Sequence, residues 1–315
     1  MSPIDKDILL DICNNTSSSC LVIFGSGARS DLIPGSDLDI VAIVPYPQYW
    51  NYKPTVIRGK WIDLNYVSNK GLRAKLESSW YWRAQLRQYK ILGLSTETLE
   101  ILESNAKLKN SEIERKIISD GWRQLCDNHY SNAQRTDIKW IRHGLEWHGI
   151  VSLMNGILQM EGLTPHSYHN HIAEIKKTDI PDNFISNYLD FTYSSYYNLI
   201  DLPLWIEEMS FKLNNPNLKV KINAIEERVK YLRNLGRIRD VTFYLRHAIW
   251  MLLIHIACEK TNEIFPSSHV GYSAMIEKIN NIVPESIRKC FLRKDCIKSD
   301  TLKMELSKHL DNIEL

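Results

Sequence analysis

Apolar residues along the chain change period twice. Ile4, Ile8, Leu9 and Ile12 recur at helical spacing behind Ser2 and Pro3, which predict an N-cap and a first helical position. Two short apolar runs follow, 21–24 ending at Gly25 and 38–44. Each has the length of a buried strand and is bounded by Gly, Pro or Asp. Residues 55–58 and 60–67 alternate around Gly59, which predicts a hairpin. The stretch 70–110 carries Trp80, Tyr81 and Trp82 and one or two helices. From 111 onward the period is helical throughout: Ser111 and Glu114 have capping-box spacing ahead of Ile113, Ile117, Ile118, Trp122 and Leu125. Further helices are predicted over 138–160 up to Gly162, over 222–235 and over 241–256.

A chain of 315 residues exceeds the roughly 250–300 at which one core stops growing, so two domains are expected. The change of texture sets them at 1–110 and 111–315. The predicted fold is an α/β N-terminal domain, a mixed sheet with flanking helices, followed by an all-α helical domain. With 44% apolar and 24% charged residues, disordered and disulfide-scaffold classes are excluded. A net charge of +2 does not by itself announce a nucleic-acid or membrane-surface binder. The run 248–258 is short of the ~20 residues of a bilayer span and reads as a buried helix, and no secretory signal is visible. Six cysteines without Cys-x-x-Cys pairs fit reduced thiols and a cytoplasmic setting.

The chemistry concentrates in one stretch. A strand ends at Gly25-Ser26, a turn-rich segment follows, and a new strand begins at Asp37-Leu38-Asp39. Side chains alternate along a strand, so Asp37 and Asp39 point to one face with their carboxylates close together. Such a pair repels unless a cation lies between, and paired hard oxygens suit Mg²⁺ completed by phosphates and water. Gly25 lets backbone N–H groups approach a polyphosphate, the Ser26 hydroxyl adds a donor, and a helix starting near Gly27 aims its positive end at the anion. Asp63 lies between apolar neighbours on a predicted strand, a costly place for a carboxylate without a cationic partner. It supplies the third acid needed to hold two metals about 4 Å apart.

Gly-Ser, ten intervening residues, Asp-x-Asp and a later strand carboxylate together resemble the DNA polymerase β nucleotidyltransferase superfamily. Gly25-Ser26-Gly27-Ala28-Arg29-Ser30-Asp31 leading to Ser36-Asp37-Leu38-Asp39 is most similar to the minimal and the aminoglycoside (kanamycin-type) nucleotidyltransferases. The resemblance implies that Gly25 and Ser26 hold the triphosphate of ATP or another nucleoside triphosphate, and that Asp37 and Asp39 bind Mg²⁺, two ions being expected. Asp63 then binds the second metal and helps deprotonate the acceptor. The expected reaction is transfer of a nucleoside monophosphate, AMP from ATP, to a hydroxyl of a small antibiotic- or natural-product-like molecule seated between Asp63 and the helical domain. Transfer to a protein or a tRNA end, as in toxin–antitoxin systems, and nucleotide binding without catalysis are the alternatives. No membrane partner is expected, and the oligomeric state is left open.

Secondary candidates remain two-sided. Arg29 either touches phosphate or is solvated, and Ser36 either binds phosphate or caps the turn. Glu146, on the helix over 138–160, is a candidate acceptor-side base or an ordinary exposed glutamate. Arg142 and His148 match a short Arg–His ribonuclease motif that is easily met by chance. The histidine-rich loop 164–171 either contacts substrate or is solvated. Arg142-His143 with His166, and Arg246-His247 with His269, suggest a duplicated unit or a coincidence. Trp80, Tyr81 and Trp82 either stack on a base or sugar or pack a helix on the sheet, and Tyr193, Tyr196 and Tyr197 either line an acceptor pocket or lie at the surface. Arg228, Lys230, Arg233, Arg237 and Arg239 suggest a basic face.

Overall fold

A computed structural model describes residues 4–46, 50–93, 95–107, 111–163, 170–193, 216–263, 271–292 and 299–314. His166, His169, Tyr196, Tyr197, His269 and Cys296 lie outside the described residues, and with them most of the histidine-loop, repeat and tyrosine readings. The chain divides into two compact units. One comprises Met1–Ile118 with Asn215–Tyr231, the other Ser119–Asn214 with Leu232–Leu315. The N-terminal unit therefore runs a little past residue 110 and takes in a helix from far along the chain.

In the first unit, helix α1 (Lys6–Thr16) is followed by strand β1 (Cys20–Phe24), the short helix α2 (Gly25–Arg29) and strand β2 (Leu38–Ile43). Strands β3 (Asn51–Tyr52), β4 (Thr55–Ile57) and β5 (Lys60–Val67) come next. Helices α3 (Asn69–Ser78) and α4 (Trp80–Gln85), strand β6 (Lys90–Leu92) and helix α5 (Thr96–Lys107) complete the N-terminal portion. Helix α6 (Glu112–Arg135) then leads into the second unit.

The sheet order is β3-β5-β2-β1-β6, with β4 also paired to β5. Strand β2 runs parallel to β5 and antiparallel to β1, so the sheet is mixed. Both faces are covered, which is why β1 and β2 read as continuous apolar runs rather than alternating ones. Leu21, Ile23, Leu38, Ile40, Ala42, Ile62 and Leu64 pack with Ile8, Leu9 and Ile12 of α1. Cys20, Val22, Phe24, Val41, Ile43 and Val67 pack with Leu72, Leu76, Leu86, Ile101 and Leu102 on the opposite face.

Helix α1 starts later than Ser2 and Pro3 predict. Asp5 is its N-cap, accepting from the Asp7 backbone N–H at 2.9 Å, because that carboxylate sits directly before the first helical residue, Lys6, and ahead of the buried stripe at Ile8, Leu9 and Ile12. The predicted hairpin is β4–β5. Ile57 pairs with Lys60, and Arg58 and Gly59 both adopt positive φ (50° and 72°), as a two-residue type I′ turn requires. Ser111 caps α6 by accepting from the Glu114 N–H at 3.1 Å. The Glu114 carboxylate is held instead by Arg83 at 3.0 Å and Arg87 at 3.1 Å.

The helix that returns to the first unit is α10 (Pro216–Asn234). Described elements of the second unit are the remainder of α6, then α7 (Lys139–Met160), α8 (His171–Ile175) and α9 (Asp182–Tyr193). Beyond α10 come α11 (Ile238–Thr261), α12 (Tyr272–Ile279), α13 (Glu285–Phe291) and α14 (Ser299–Glu314), with one turn of 3₁₀ helix at Asn280–Ile282. Among the described residues this unit contains no strand.

Helix α7 is buried nearly all round and packs against α14 through Leu302, Leu306 and Leu310. Its glycines admit aromatic rings: a Cβ on Gly144 would collide with Trp250, and one on Gly149 would come to 2.9 Å of Tyr130. Helix α11 is long and apolar enough to cross a membrane, yet 78% of its apolar window is buried within the protein, as the 248–258 run predicts. Five cysteines (Cys13, Cys20, Cys126, Cys258 and Cys290) are free thiols.

Candidate active site

The site begins with strand register. Asp39 on β2 pairs directly with Asp63 on the parallel strand β5, and on its other side with Phe24, the last residue of β1. Asp37 lies two residues before Asp39, so alternation puts all three acids on the sheet face that carries Val41, Ile43 and Val67. Strand β5 lies between β2 and the β3–β4 side of the sheet, so Asp63 is not on an edge strand. The glycine-serine turn meets these acids directly. Gly25 has φ +61° and opens α2, two residues earlier than the sequence suggests, and a Cβ there would collide with the Asp39 carboxylate. A bare backbone is thus required where the two halves of the motif touch.

Each carboxylate has a different electrostatic setting. Burial raises the pKa of Asp39, and the neighbouring carboxylates of Asp37 and Asp63 push it further; Lys221 and Arg29 oppose this only partly. The group stands well above the usual carboxylate range. Burial acts the same way on Asp37 but is overcome by two cations from α10. Lys221 Nζ donates to its Oδ2 at 2.9 Å and Arg228 Nη2 to its Oδ1 at 3.2 Å, holding the carboxyl far below that range. Asp63 is fixed through one oxygen: Oδ1 accepts from the Tyr52 hydroxyl at 2.7 Å and the Trp61 indole N–H at 2.9 Å. Its Oδ2 lies 3.8 Å from Lys221 Nζ.

Helix α10 is docked closely on this loop. Gly35 has φ +73°, and a Cβ on it would strike the Ala224 carbonyl and crowd the Arg228 N–H. Arg228 also donates to the Gly35 carbonyl at 2.8 Å, so one guanidinium ties the turn before Asp37 to the carboxylate itself. Arg228 is therefore buried in the site rather than part of a solvated basic face.

The other predicted residues separate. Arg29 pairs with Asp31 at 3.1 Å beside the turn. The Ser26 backbone carbonyl accepts from the N–H groups of Ser30 and Asp31, closing α2. Ser36 is buried and its Oγ accepts from the Ile33 N–H at 3.0 Å, which is the turn-capping alternative. Trp82 packs on the sheet, edge-on to Phe24 at 5.5 Å and against Trp50 at 4.2 Å. Tyr81 stacks edge-on with Trp80 and Trp82, its phenol pushed up by burial and by the charge of Asp39.

Glu146 is half-buried on α7 in the second unit. Arg142 is held on the Thr136 carbonyl at 2.9 Å, while His148 is buried against His129, His247 and Trp250. The Arg–His pair therefore presents no exposed imidazole.

Lys221, Arg228, Tyr52, Trp61 and Lys90 are residues that sequence reasoning missed as partners of the site. Lys90 anchors α2 by donating to the Gly27 carbonyl at 3.1 Å and Ser30 Oγ at 2.5 Å. One signal for the helix was available: Lys221 and Arg228 are seven residues apart, one helical face, with the small Ala224 between them.

The donor set fits a hard divalent cation in its chemistry. It offers carboxylate oxygens, one of them pre-oriented by outer-shell donors, and mutual repulsion that a cation would relieve. It is not a ready-made cage. Among the described residues no group of three His, Cys, Asp or Glu side chains is arranged to hold a metal, and the facing oxygens of Asp37 and Asp63 are directed at the Lys221 ammonium.

No family model matches the chain, and no curated protein sequence matches it. Among solved structures, a nucleotidyltransferase-like protein from Exiguobacterium sibiricum 255-15 is similar over 93% of this chain and 96% of its own, at 11% identity and a TM-score of 0.33. At that distance neither a fold nor an activity is carried from one chain to the other.

Proposed function

We propose that the chain is a Mg²⁺-dependent nucleotidyltransferase that moves a nucleoside monophosphate, AMP from ATP, onto a hydroxyl of a small antibiotic- or natural-product-like molecule. The observation that supports this most is the pairing of Asp39 with Asp63 across parallel strands while the Asp39 carboxylate rests on the bare backbone of Gly25. The sheet itself thereby brings the acids and the glycine turn to one point.

In the reaction, the acceptor oxygen forms a bond to the α-phosphorus and the bond to the pyrophosphate oxygen breaks, in line. The hydroxyl proton goes to Asp63 Oδ2, whose partner oxygen is fixed by Tyr52 and Trp61. Gly25 and Ser26 receive the triphosphate, with α2 secured by Lys90. Asp37, Asp39 and Asp63 would hold Mg²⁺, which would supply charge stabilisation for the α-phosphate and the leaving pyrophosphate. Arg228 keeps Asp37 ionised and in place throughout.

A second reading, nucleotide binding without turnover, is favoured by one specific observation, the Lys221 ammonium already placed between two of the acids. The two readings part in one experiment. The protein is incubated with each labelled triphosphate, Mg²⁺ and a pool of small hydroxyl compounds, and then with protein and tRNA. Pyrophosphate release with a mass gain on a small molecule is expected, and Asp39→Asn should lower it by about 10³-fold. Triphosphate binding with no release would establish the second reading, and a gain on tRNA or protein would move the acceptor. Undiminished transfer by the Asn variant would remove the metal assignment.

A further inference from the structure

We propose that Lys221 is an internal stand-in for the divalent cation: its ammonium bridges Asp37 and Asp63 when no ion is bound, and an incoming ion must displace it. The inference rests on reading the three acids as metal ligands and adds how that site is controlled. Nζ lies 2.9 Å from Asp37 Oδ2, 3.8 Å from Asp63 Oδ2 and 4.9 Å from the centre of the Trp61 ring. Trp61 is itself fixed by its N–H on the other oxygen of Asp63. The ammonium is thus seated by two acids and a ring face, with the side chain only 15% exposed.

The two cations of α10 are not equivalent. Arg228 is forked between the Gly35 carbonyl and Asp37, a planar group locked to the backbone turn on which the helix docks. Lys221 is a point charge on a flexible four-carbon stem, aimed at the oxygens a metal would need. The stem can withdraw without moving α10, whereas Arg228 cannot. In the metal-free protein Lys221 relieves repulsion that would otherwise destabilise the acid face. The cost is a weakened affinity for the ion, since each binding event must first break the lysine's ion pairs.

The test is Mn²⁺ binding to the full chain without nucleotide, followed by calorimetry and by electron paramagnetic resonance of the free ion, for wild type, K221M, K221R and D39N. Methionine keeps the length and the apolar contact with Trp61 but removes the charge. K221M should bind Mn²⁺ about tenfold tighter, the ratio expected from removing one partly screened charge from the competition. K221R should retain the weaker wild-type affinity, and the metal-free K221M should melt below wild type.

Equal Asp39-dependent affinity in wild type and K221M would overturn displacement while leaving the metal site standing. Absence of Asp39-dependent binding in both would overturn both. A second measurement needs no variant: reductive methylation of wild type, read lysine by lysine by mass spectrometry. Labelling of Lys221 should rise several-fold on adding Mg²⁺, and unchanged labelling would also overturn the proposal.

Discussion

Two buried regions of this molecule treat polar groups in opposite ways. In the first unit, three carboxylates at the ends of neighbouring strands are left close enough to repel, and two cations from a distant stretch of chain answer them only partly. In the second unit, His129, His148 and His171 are more deeply buried than these acids and lie among rings. His171 stacks on Phe243 at 4.0 Å and bonds the Tyr188 hydroxyl at 2.6 Å, and His148 lies 5.1 Å from Trp250. Unrelieved charge repulsion is a cost a fold does not need for its own stability. Aromatic packing is one from which it gains. The proposed function reads this contrast as chemistry in the first region and support in the second.

The largest effect that could break this division is truncation of Trp250. It is fully buried, its ring fills the space left by Gly144, and it meets Phe291 at 5.3 Å and Trp140 at 6.4 Å. Trp250→Ala should cost about 4 kcal/mol in denaturant unfolding. At temperatures where the variant stays folded, Mn²⁺ affinity should equal that of wild type. A changed affinity would show that the aromatic region takes part in the site.

The next effect sharpens the comparison within the acids. Asp37→Asn removes the partner of Lys221 and Arg228 and should cost about 2 kcal/mol. Asp39→Asn should instead stabilise the metal-free protein near neutral pH. The signs follow from linkage. The raised pKa of Asp39 contributes stability that is complete below the ordinary aspartate range and is lost as pH rises through the raised value. The lowered pKa of Asp37 contributes stability that is present above the ordinary range and lost as pH falls below it. Melting curves in chelator from pH 4 to 8 should therefore decline with rising pH for wild type and flatten for Asp39→Asn. Parallel curves would mean that the repulsion is not there.

What the sequence made legible were features set by local pattern. The two strands around Gly25 and Asp37, the hairpin at Gly59 and the long helices 138–160 and 241–256 each carry their own period or turn chemistry. Asp37, Asp39 and Asp63 were legible because alternation fixes their face once the strands are granted. Lys221 and Arg228 were not: they lie more than 180 residues from Asp37, on a helix whose texture matches the second unit, and only tertiary docking at Gly35 brings them in. Strand β6 was missed because three residues pairing one edge of β1 have too little length to show a period. Ser2 and Pro3 misplaced the first helix start because Asp5, closer to the buried stripe, is also a good cap.

The smallest effect concerns how finely the acid face is tuned. Tyr52 and Trp61 both donate to Asp63 Oδ1, which leaves Oδ2 turned toward Asp37 and the Lys221 ammonium. Tyr52→Phe deletes one donor while Trp61 still holds the carboxylate, so the loss of stability should be about 1 kcal/mol or less. If Asp63 takes the acceptor proton, losing that donor loosens its aim at the acceptor hydroxyl. The turnover rate should then fall a few-fold, with little change in the half-saturating triphosphate concentration. An unchanged rate would make Tyr52 a packing residue. Asp63 would then be a fixed charge rather than the proton acceptor, and the polar face would owe its asymmetry to Lys221 alone.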